Sequence, residues 1–438
     1  MDFGESVAYL LGLGHETAAM KLGLEGIGRL LARLGDPHKV FTSVQIAGTN
    51  GKGSTAAMLE AVCLAAGLRA GLYTSPHLVS ITERVRVGGR EVAPEEFARA
   101  ASRVREAAEA LEREGGALPT FFEQVTAIAL THFREAGVEL AILETGLGGR
   151  LDATTAAGAS VVAVTPVALD HQEHLGHTLA EIAAEKAAII RPGVEAVVAP
   201  QEPEAAGVIE RRCRDCGVRP RRAEPFEAEG ACGDGRLRGR VRTERREYGS
   251  ACLALRGRHQ LVNAAAAVAL AEALIDAGFY VAPEHVLAGL ETAEHAGRLE
   301  IDRGHGEPAM LFDGAHNPSG ARALRDYLDE FAAGRVTMVF GAMRDKALAE
   351  IGAILFPAAE HLVLTQPRNP RAAPVEELLR AVPAPAHSST IALAPSSADA
   401  LTIARAHTPP DGLVCVTGSL YLVGEVKAAL AGAGSLRG

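Results

Sequence analysis

The segment VQIAGTNGKGSTAAML, residues 44 to 59, constrains the fold more than any other part of the chain. An apolar run enters it, three glycines and a lysine fill its middle, and a helical pattern leaves it. Backbone N–H groups of a glycine-rich turn at a helix N-terminus converge on an anion, and a lysine there reaches the outer phosphates. The segment therefore predicts a strand, a phosphate-binding loop and a helix. The loop comprises Gly48, Thr49, Asn50, Gly51, Lys52, Gly53 and Ser54.

This loop is a variant of the common G-x-x-x-x-G-K-[ST] pattern, because position 46 is Ile and Gly53 follows Lys52. The alternative is a tight turn with a surface lysine, which the order of strand, glycines, lysine and serine disfavours. GTPases usually carry an Asn-Lys-x-Asp motif that reads the base. None of the four asparagines precedes a lysine, so ATP is the favoured nucleotide.

Strand and helix patterns alternate along the chain from residue 42 onwards. With 438 residues, 48% of them hydrophobic, the chain can bury a sizeable core and form about two or three domains. Alternation of this kind predicts a doubly wound, mostly parallel α/β sheet, here in a P-loop-type ATPase domain over residues 1–296. Its predicted strands are 42–47, 68–73, 138–144, 160–165 and 194–199, and its predicted helices are 52–66, 94–114, 120–136 and 178–190.

The sequence pattern changes near residue 297, and a second, smaller α/β unit follows. Its pattern predicts a Rossmann-like domain over residues 297–438, with strands at 309–313, 336–341, 361–365 and 413–417 and helices at 319–332 and 346–355. Between the units, residues 211–255 are rich in Arg and Gly, and a long Ala-rich helix begins near Gln260. Acidic residues interleave with these arginines, which favours a solvated β-region over a nucleic-acid patch.

Charge and cysteine usage restrict the partners and the compartment. The net charge of −10 argues against non-specific nucleic-acid binding. No signal peptide or membrane-spanning segment is predicted, and six scattered cysteines are typical of a reducing cytoplasm. Cys213 and Cys216 form an isolated CxxC, and Cys232 and Cys252 follow singly. A zinc site needs four well-spaced ligands, so a structural role for the CxxC pair is favoured.

Two polar residues stand at the carboxyl ends of predicted strands that come after the loop in the chain. Glu144 ends the apolar strand 138–144, and Ser75 follows the strand 68–73. Ligands of open α/β sheets bind at the carboxyl ends of the strands, and an acid there can hold Mg²⁺ beside phosphates. Because Glu144 is expected beside a phosphate loop, a role in binding Mg²⁺ is favoured over a carboxylate that is simply exposed to solvent.

Lys186 lies on the apolar face of the helix predicted over 178–190, which starts with a capping box from Thr178 to Glu181. No carboxylate stands three or four positions away to pair with it. One interpretation is a snorkelling side chain or a distant salt bridge. The other is a desolvated, partly neutral lysine, which is a nucleophile and can capture CO₂ as a carbamate. The chain has only six lysines against 38 arginines, a hint that each lysine has a specific use.

Other polar residues gather in four further motifs. Asp170, His171, His174 and His177 crowd one loop, where a zinc site is conceivable but no geometry is fixed. Taken singly, each of the other three is a polar turn after a strand or at the start of a helix. They are His259, Gln260 and Asn263 in RHQLVNAAAA, Asp313, His316 and Asn317 in FDGAHNPSG, and Lys346 in FGAMRDKA.

Together these motifs resemble the folylpolyglutamate synthase and dihydrofolate synthase family of the Mur ligase superfamily. The resemblance covers nearly the whole chain. It includes the leader KLGLEGIGRLLARLGDPHKVF, GTNGKGS, SPHL, TERVRV, ETGLGGRLDAT, LDHQEHLGHTLAEIAAEKA, HQLVNAA, GRLE, DGAHNP and TGSLYLVGEV. Such enzymes use ATP to phosphorylate a carboxylate of the acceptor, and the amine of L-glutamate then attacks the acyl phosphate. The resemblance also implies two Mg²⁺ ions and closure of the C-terminal domain about a hinge near 292–300.

The resemblance also assigns roles to residues. It implies magnesium ligands at Ser75, Glu144 and His171, with Lys186 as a carbamate. It implies ATP contacts from the phosphate loop, Asn263, Arg298 and Asp313, and places His316 and Lys346 at the cleft between subdomains. Catalytic roles fall to Lys52, His171, Lys186 and His316. The folate-binding residues are matched at Thr120, Phe121, Phe122, Glu123 and Asp152.

Three positions depart from the family pattern: Ala296 where Pro is frequent, Ala188 where Gly is frequent, and Thr155 where Asn is frequent. The third lies beside the matched pterin residues and leaves the acceptor preference open. Two other functions remain as alternatives, a cell-wall amino-acid ligase of the same superfamily and a non-catalytic ATP-binding switch. The expected protein is a cytoplasmic monomer whose partners are small molecules, with no nucleic acid and no membrane.

Overall fold

The computed structural model describes residues 1–14, 23–233, 235–303, 308–332, 334–383 and 390–434. The first two residues of the family-like leader, 21 and 22, lie outside this range. The helices are α1 Phe3–Gly12, α2 Glu25–Arg33, α3 Lys52–Ala65, α4 Pro94–Arg113, α5 Phe121–Glu135, α6 Gln172–Leu175, α7 Leu179–Ala187, α8 Pro203–Asp215, α9 Gln260–Asp276, α10 Pro283–Thr292, α11 Pro318–Phe331, α12 Leu348–Leu355, α13 Val375–Arg380, α14 Ser397–His407 and α15 Leu420–Gly434.

The strands fall into three sheets. They are β1 Thr42–Ala47, β2 Ala70–Tyr73, β3 Val85–Val87, β4 Arg90–Glu91, β5 Leu140–Glu144, β6 Val161–Val164, β7 Glu195–Val198, β8 Arg221–Arg222, β9 Glu227–Ala231, β10 Leu237–Arg242, β11 Glu247–Cys252, β12 Glu300–Asp302, β13 Ala309–Phe312, β14 Val336–Phe340, β15 His361–Thr365, β16 Thr390–Ala394 and β17 Leu413–Thr417.

The first sheet has eight strands in the order β4-β3-β2-β5-β1-β6-β7-β8. All neighbours are parallel except the β2–β3 and β3–β4 pairs, which confirms the predicted doubly wound, mostly parallel sheet. β1 is nearly all buried, because helices cover both faces. α3 and α9 pack in one core, and α4 and α5 pack in another. The central strands β5, β1 and β6 thus end side by side.

Residues 227–252 form a separate antiparallel sheet in the order β11-β10-β9. In β10, Leu237, Gly239 and Val241 are buried while the three arginines that alternate with them are exposed, as expected of a half-solvated strand. The predicted solvated β-region is confirmed, although α8 extends to Asp215 and shortens it. β9 and β11 flank β10, and this brings Cys232 and Cys252 into a disulfide with Cα atoms 6.2 Å apart. No pairing of these two cysteines was predicted from the sequence.

The second large sheet has six strands in the order β12-β13-β17-β14-β15-β16 and is parallel except for β12. Apolar cores lie on its two faces, which confirms the predicted Rossmann-like α/β unit. β16, α13 and α14 were not predicted from the sequence. In the described part of the chain, no helix combines the length and the hydropathy needed to cross a bilayer.

A buried carboxyl on α3 makes the stability of the first unit depend on pH. Glu60 is 2% exposed, and its Oε2 atom lies 3.2 Å from Arg86 Nη2. Its Oε1 atom has no hydrogen-bond partner among the described residues. Burial raises the pKa of Glu60 from 4.5 to about 7, against the opposing charge of Arg86. The folded state therefore binds this proton more tightly than the unfolded chain. The resulting stabilisation is complete below pH 4.5 and is lost as the pH rises to about 7.

The variant Glu60→Gln is expected to remove this pH dependence. In the wild type the Glu60 contribution should fall by up to about 3 kcal/mol across that pH range, since one pKa unit corresponds to about 1.4 kcal/mol. Urea unfolding of both proteins at pH 5 and pH 8 measures the difference. Glu106→Gln, an exposed carboxyl on α4, is the matched control. Parallel pH profiles for wild type and Glu60→Gln would contradict the prediction.

Candidate active site

The predicted phosphate loop connects β1 to the N-terminus of α3 at the centre of the first sheet. Gly51 precedes the helix with φ 84°, and Gly48 has φ 150°. A Cβ atom at Gly51 would collide with Asn263 Oδ1, and one at Gly48 would collide with Thr165 Oγ1. Glycine is therefore required at both positions, by conformation and by close approach. The loop amides are held at the start of a 14-residue helix, where an anion binds favourably.

Two side chains of the loop present donors to the same space. Lys52 Nζ donates to the carbonyl of Thr49 at 3.2 Å, and burial lowers the pKa of Lys52 while the charge of Glu144 opposes that shift. Asn50 Nδ2 is buried and has no hydrogen-bond partner among the described residues. A buried donor without a partner is costly, so the loop is suited to an acceptor group such as a phosphate oxygen.

The predicted magnesium ligands Ser75, Glu144 and His171 line one cleft with the phosphate loop, at or beyond the carboxyl ends of β2, β5 and β6. Ser75 N donates to Glu144 Oε2 at 3.2 Å, and burial raises the pKa of Glu144 against the charge of Lys52. His171 follows β6 with φ 51°, and burial lowers its pKa to about 3, so its ring is neutral. Among the described residues, no three His, Cys, Asp or Glu side chains form a metal cluster. This donor set fits a cation such as Mg²⁺, which binds few protein oxygens and takes other ligands from phosphate and water.

Lys186 points from α7 to the phosphate loop. The capping box predicted at the start of α7 is present, since Glu181 N donates to Thr178 Oγ1 and Thr178 N donates to Glu181 Oε2. Lys186 is 4% exposed, and its Nζ atom donates to the carbonyl of Gly48 at 2.9 Å. Burial, followed by the charge of Lys52, lowers the pKa of Lys186 to about 7. A substantial fraction of this amine is therefore neutral near pH 7, as nucleophilic capture of CO₂ requires.

The remaining predicted nucleotide contacts line the same cleft. Asp313 follows β13 and accepts hydrogen bonds from Leu299 N and Ala315 N, each at 2.9 Å. Burial raises the pKa of Asp313 while the neighbouring Arg298 opposes the shift. Asn263 Nδ2 donates to Gln260 Oε1 at 2.9 Å. The predicted residues that line this cleft are Gly48, Thr49, Asn50, Gly51, Lys52, Gly53, Ser54, Ser75, Glu144, His171, Lys186, Asn263, Arg298, Asp313 and His316.

Asp170 joins the two large sheets beside this cleft. Its Oδ1 atom accepts from Lys346 Nζ at 2.6 Å, and its Oδ2 atom lies 3.2 Å from Asn317 Nδ2 and 3.3 Å from His316 Nε2. Burial alone would raise the pKa of Asp170, but the hydrogen bond from His316 and the charges of His316, His171 and Lys346 hold it far below its usual range. A carboxylate of the first sheet unit thus contacts three donor side chains of the second sheet unit.

A second cavity, of about 150 Å³, adjoins the cleft. Phe122, from the predicted folate set, lines it together with Leu147, His316 and Lys346. Four further lining residues were not singled out in the sequence: Met343, Arg371, Ser419 and Tyr421. Ser419 and Arg371 follow β17 and β15, so the rule that ligands bind at the carboxyl ends of parallel strands could have found both.

The other four residues matched to folate binding make contacts within the protein. Thr120 caps α5, with Glu123 N donating to Thr120 Oγ1 at 3.3 Å and Thr120 N donating to Glu123 Oε2 at 2.8 Å. Phe121 is 5% exposed and lies beneath the guanidinium of Arg84 at 5.5 Å. Asp152 accepts from Leu147 N at 2.9 Å and from Thr154 N at 3.0 Å. The structure thus brings Phe122 to the cavity and holds the other four in local packing.

Comparison with known proteins gives a consistent family. Residues 297–420 match the family model described as Mur ligase, glutamate ligase domain. A Haloferax volcanii protein named probable bifunctional folylpolyglutamate synthase/dihydropteroate synthase is 37% identical over 444 residues, which cover 98% of this chain and 50% of the relative. A Bacillus subtilis dihydrofolate synthase/folylpolyglutamate synthase is 33% identical over 426 residues, which cover 94% of this chain and 96% of the relative. The chain spans about half the length of the haloarchaeal relatives that it matches.

Solved structures agree with these relatives along the whole chain. Mycobacterium tuberculosis folylpolyglutamate synthase complexed with ADP has a TM-score of 0.87 at 30% identity, covering 97% of this chain and 98% of that one. E. coli FolC in complex with DHPP and ADP has a TM-score of 0.85 at 32% identity, covering 99% and 98%. A bifunctional folylpolyglutamate synthase/dihydrofolate synthase with Mn, AMPPNP and L-glutamate bound has a TM-score of 0.84 at 31% identity, covering 98% of each chain. The chain belongs to the family of folylpolyglutamate and dihydrofolate synthases.

Proposed function

We propose that the protein is an ATP-dependent ligase that joins L-glutamate to dihydropteroate, to tetrahydrofolate glutamates, or to both, and releases ADP and phosphate. One observation carries this proposal: a phosphate loop, a buried lysine and a strand-end carboxylate share one cleft with residues of the glutamate ligase domain. Relatives of the same length carry both synthase names, and similar structures hold ADP, AMPPNP, DHPP and L-glutamate.

The proposed reaction begins with transfer of the γ-phosphoryl group of ATP to a carboxylate oxygen of the acceptor, which gives ADP and an acyl phosphate. The loop amides and Lys52 hold the phosphates and offset the charge on the transferring oxygens. Mg²⁺ would be held by Ser75, Glu144, His171 and the carbamate of Lys186, where it would neutralise phosphate charge. Two such ions are proposed, the number that the resemblance to the family implies; a similar structure holds Mn, which supports a divalent metal.

The second step is attack of the glutamate amine on the acyl phosphate. The tetrahedral intermediate expels phosphate, and the amine loses a proton as the amide forms. The cavity beside Phe122 lies next to the cleft and carries the cations Lys346 and Arg371, so we place the carboxylates of glutamate there. Closure of the two sheet units would exclude water, which otherwise hydrolyses the acyl phosphate.

The proposal also includes the domain division, the cellular compartment, the oligomeric state and the partners. We place the division between the domains near residue 297, where the family match begins and the six-stranded sheet follows. We propose that the enzyme works in the cytoplasm as a monomer and that its partners are small molecules rather than nucleic acid. A net charge of −10 supports the last point.

Phosphate release from ATP and L-glutamate tests the function, with dihydropteroate and tetrahydrofolate supplied in separate reactions. Release with both acceptors is expected of an enzyme that makes dihydrofolate and also extends folates. Release with tetrahydrofolate alone would restrict it to chain extension. No release with either acceptor would contradict the proposal and direct attention to nucleotide-linked muramyl acceptors. Mg²⁺ removal by EDTA should abolish release in every reaction.

A further inference from the structure

The side chain of Asn317 connects three parts of the molecule at once. It precedes α11 and is 3% exposed. Its Oδ1 atom accepts from Gly320 N at 2.8 Å, which fixes the orientation of the amide. Its Nδ2 atom donates to Asn50 Oδ1 at 3.1 Å and to Asp170 Oδ2 at 3.2 Å. Both N–H groups of one amide are therefore used by two loops of the first sheet.

The loop of Asn50 lines the cleft, and the loop of Asp170 lines the cleft and also contacts two side chains of the second cavity. Asn50 lies in the phosphate loop and lines the cleft. Asp170 binds Lys346 and His316, and both of these side chains line the second cavity. An unbroken series of polar contacts thus runs from the phosphate loop through Asn317 and Asp170 to the cavity. The series alternates between the two sheet units, because Asn50 and Asp170 belong to the first unit and Asn317 and Lys346 to the second.

Helix capping alone does not account for this arrangement. An Asn cap needs only its side-chain oxygen, and Ser or Asp would serve as well. Ser396 caps α14 in the same sheet unit through its Oγ atom, which accepts from Asp399 N at 3.2 Å. The amide nitrogen is what distinguishes Asn317, because Ser lacks that donor and Asp would set a carboxylate against Asp170.

We propose that Asn317 is a positioning residue that couples occupancy of the phosphate loop to glutamate binding in the adjoining cavity. The inference rests on the proposed function, since it takes the two ligands to be ATP and L-glutamate. A nucleotide that orders Asn50 favours the contact with Asn317, and that contact holds Asp170, Lys346 and His316 in place. By reciprocity, glutamate favours nucleotide binding to the same degree.

Titration calorimetry of L-glutamate measures this coupling, on protein saturated with dihydropteroate, with and without Mg²⁺–AMPPNP. In the wild type the nucleotide should tighten glutamate binding by about 10-fold, within the usual range for coupled sites. Asn317→Ser keeps the cap but removes the bridging donor, so the factor should fall to about 2-fold or less. Asn317→Asp should abolish the coupling, because two carboxylates then face each other across the contact.

Ser396→Ala is the matched control, because it removes a helix cap of the same sheet unit at a side chain that lines neither the cleft nor the cavity. Its coupling factor should equal that of the wild type. Circular dichroism and thermal unfolding establish that each variant folds. Wild-type coupling in folded Asn317→Ser would overturn the inference, as would a wild type that turns over glutamate but shows no coupling. A wild type that neither binds nor turns over glutamate would overturn the proposed function together with the inference.

Discussion

Replacing Lys186 by arginine is expected to lower turnover by about 10²–10³-fold, the usual cost of removing one group that stabilises charge in a transition state. Arginine keeps the positive charge but cannot be neutralised and cannot form a carbamate. Lys186 is almost fully buried, and its pKa is lowered to about 7, so the amine can react with CO₂ at neutral pH. A carbamate also keeps one N–H on Nζ, which can retain the contact with the Gly48 carbonyl.

Phosphate release measures this effect, and Lys427→Arg is the control. Lys427 pairs with Glu300 in the second unit and lies outside the cleft, so its replacement should leave turnover within a few-fold of wild type. Removing CO₂ from the buffer should slow the wild type and leave Lys186→Arg unchanged. With ¹³C-bicarbonate, a carbamate resonance should appear in the wild type alone. Full turnover by Lys186→Arg would show that the carbamate has no role.

Replacing Lys52 by methionine is expected to lower kcat by about 10³-fold, because the proposed mechanism then lacks one of the cations that offset charge on the γ-phosphoryl group during transfer. Methionine retains the apolar stem and most of the length of the lysine side chain, so the loop should keep its fold. Burial lowers the pKa of Lys52 and raises the pKa of Glu144. The charge of each group opposes the shift of the other, so each helps to keep its partner charged within the cleft.

Steady-state phosphate release with saturating ATP, acceptor and glutamate measures the change at Lys52. The matched control is Lys39→Met, which removes an exposed lysine that pairs with Asp36 at 2.6 Å. A thermal-shift titration with ATP should still show binding to Lys52→Met, since the loop amides remain. Turnover close to that of the wild type would place the phosphates elsewhere and contradict the role assigned to the loop.

Much of the fold was predictable because its signals are local. β1, β15 and β17 have the bounds that the apolar runs gave, since a central parallel strand buried on both faces reads as a continuous run. The Thr178 capping box also formed as predicted. β16 escaped prediction because it is an edge strand, where burial imposes a weaker pattern, and α13 because it has only 6 residues.

The candidate site was only partly predictable. Asn50, Asn263 and Asn317 are three of the four asparagines in the chain, and Lys52, Lys186 and Lys346 are three of its six lysines. All six line the cleft or the cavity beside it. Rarity of these residue types was therefore a useful guide. Thr120 and Glu123 were matched to folate binding, which stays a prediction; their spacing also predicts a capping box, and the structure shows that contact.

The sequence by itself determined the strand–loop–helix order, the two α/β units and the family, because each depends on patterns and motifs of residues that are close together in the chain. Only the tertiary structure decided which distant groups meet. Asp170 and Lys346 are 176 residues apart, yet their charged atoms lie 2.6 Å apart. Asn50 and Asn317 are 267 residues apart and share a hydrogen bond. Such contacts depend on how the carboxyl edges of two separate sheets face each other, and no local pattern encodes that arrangement.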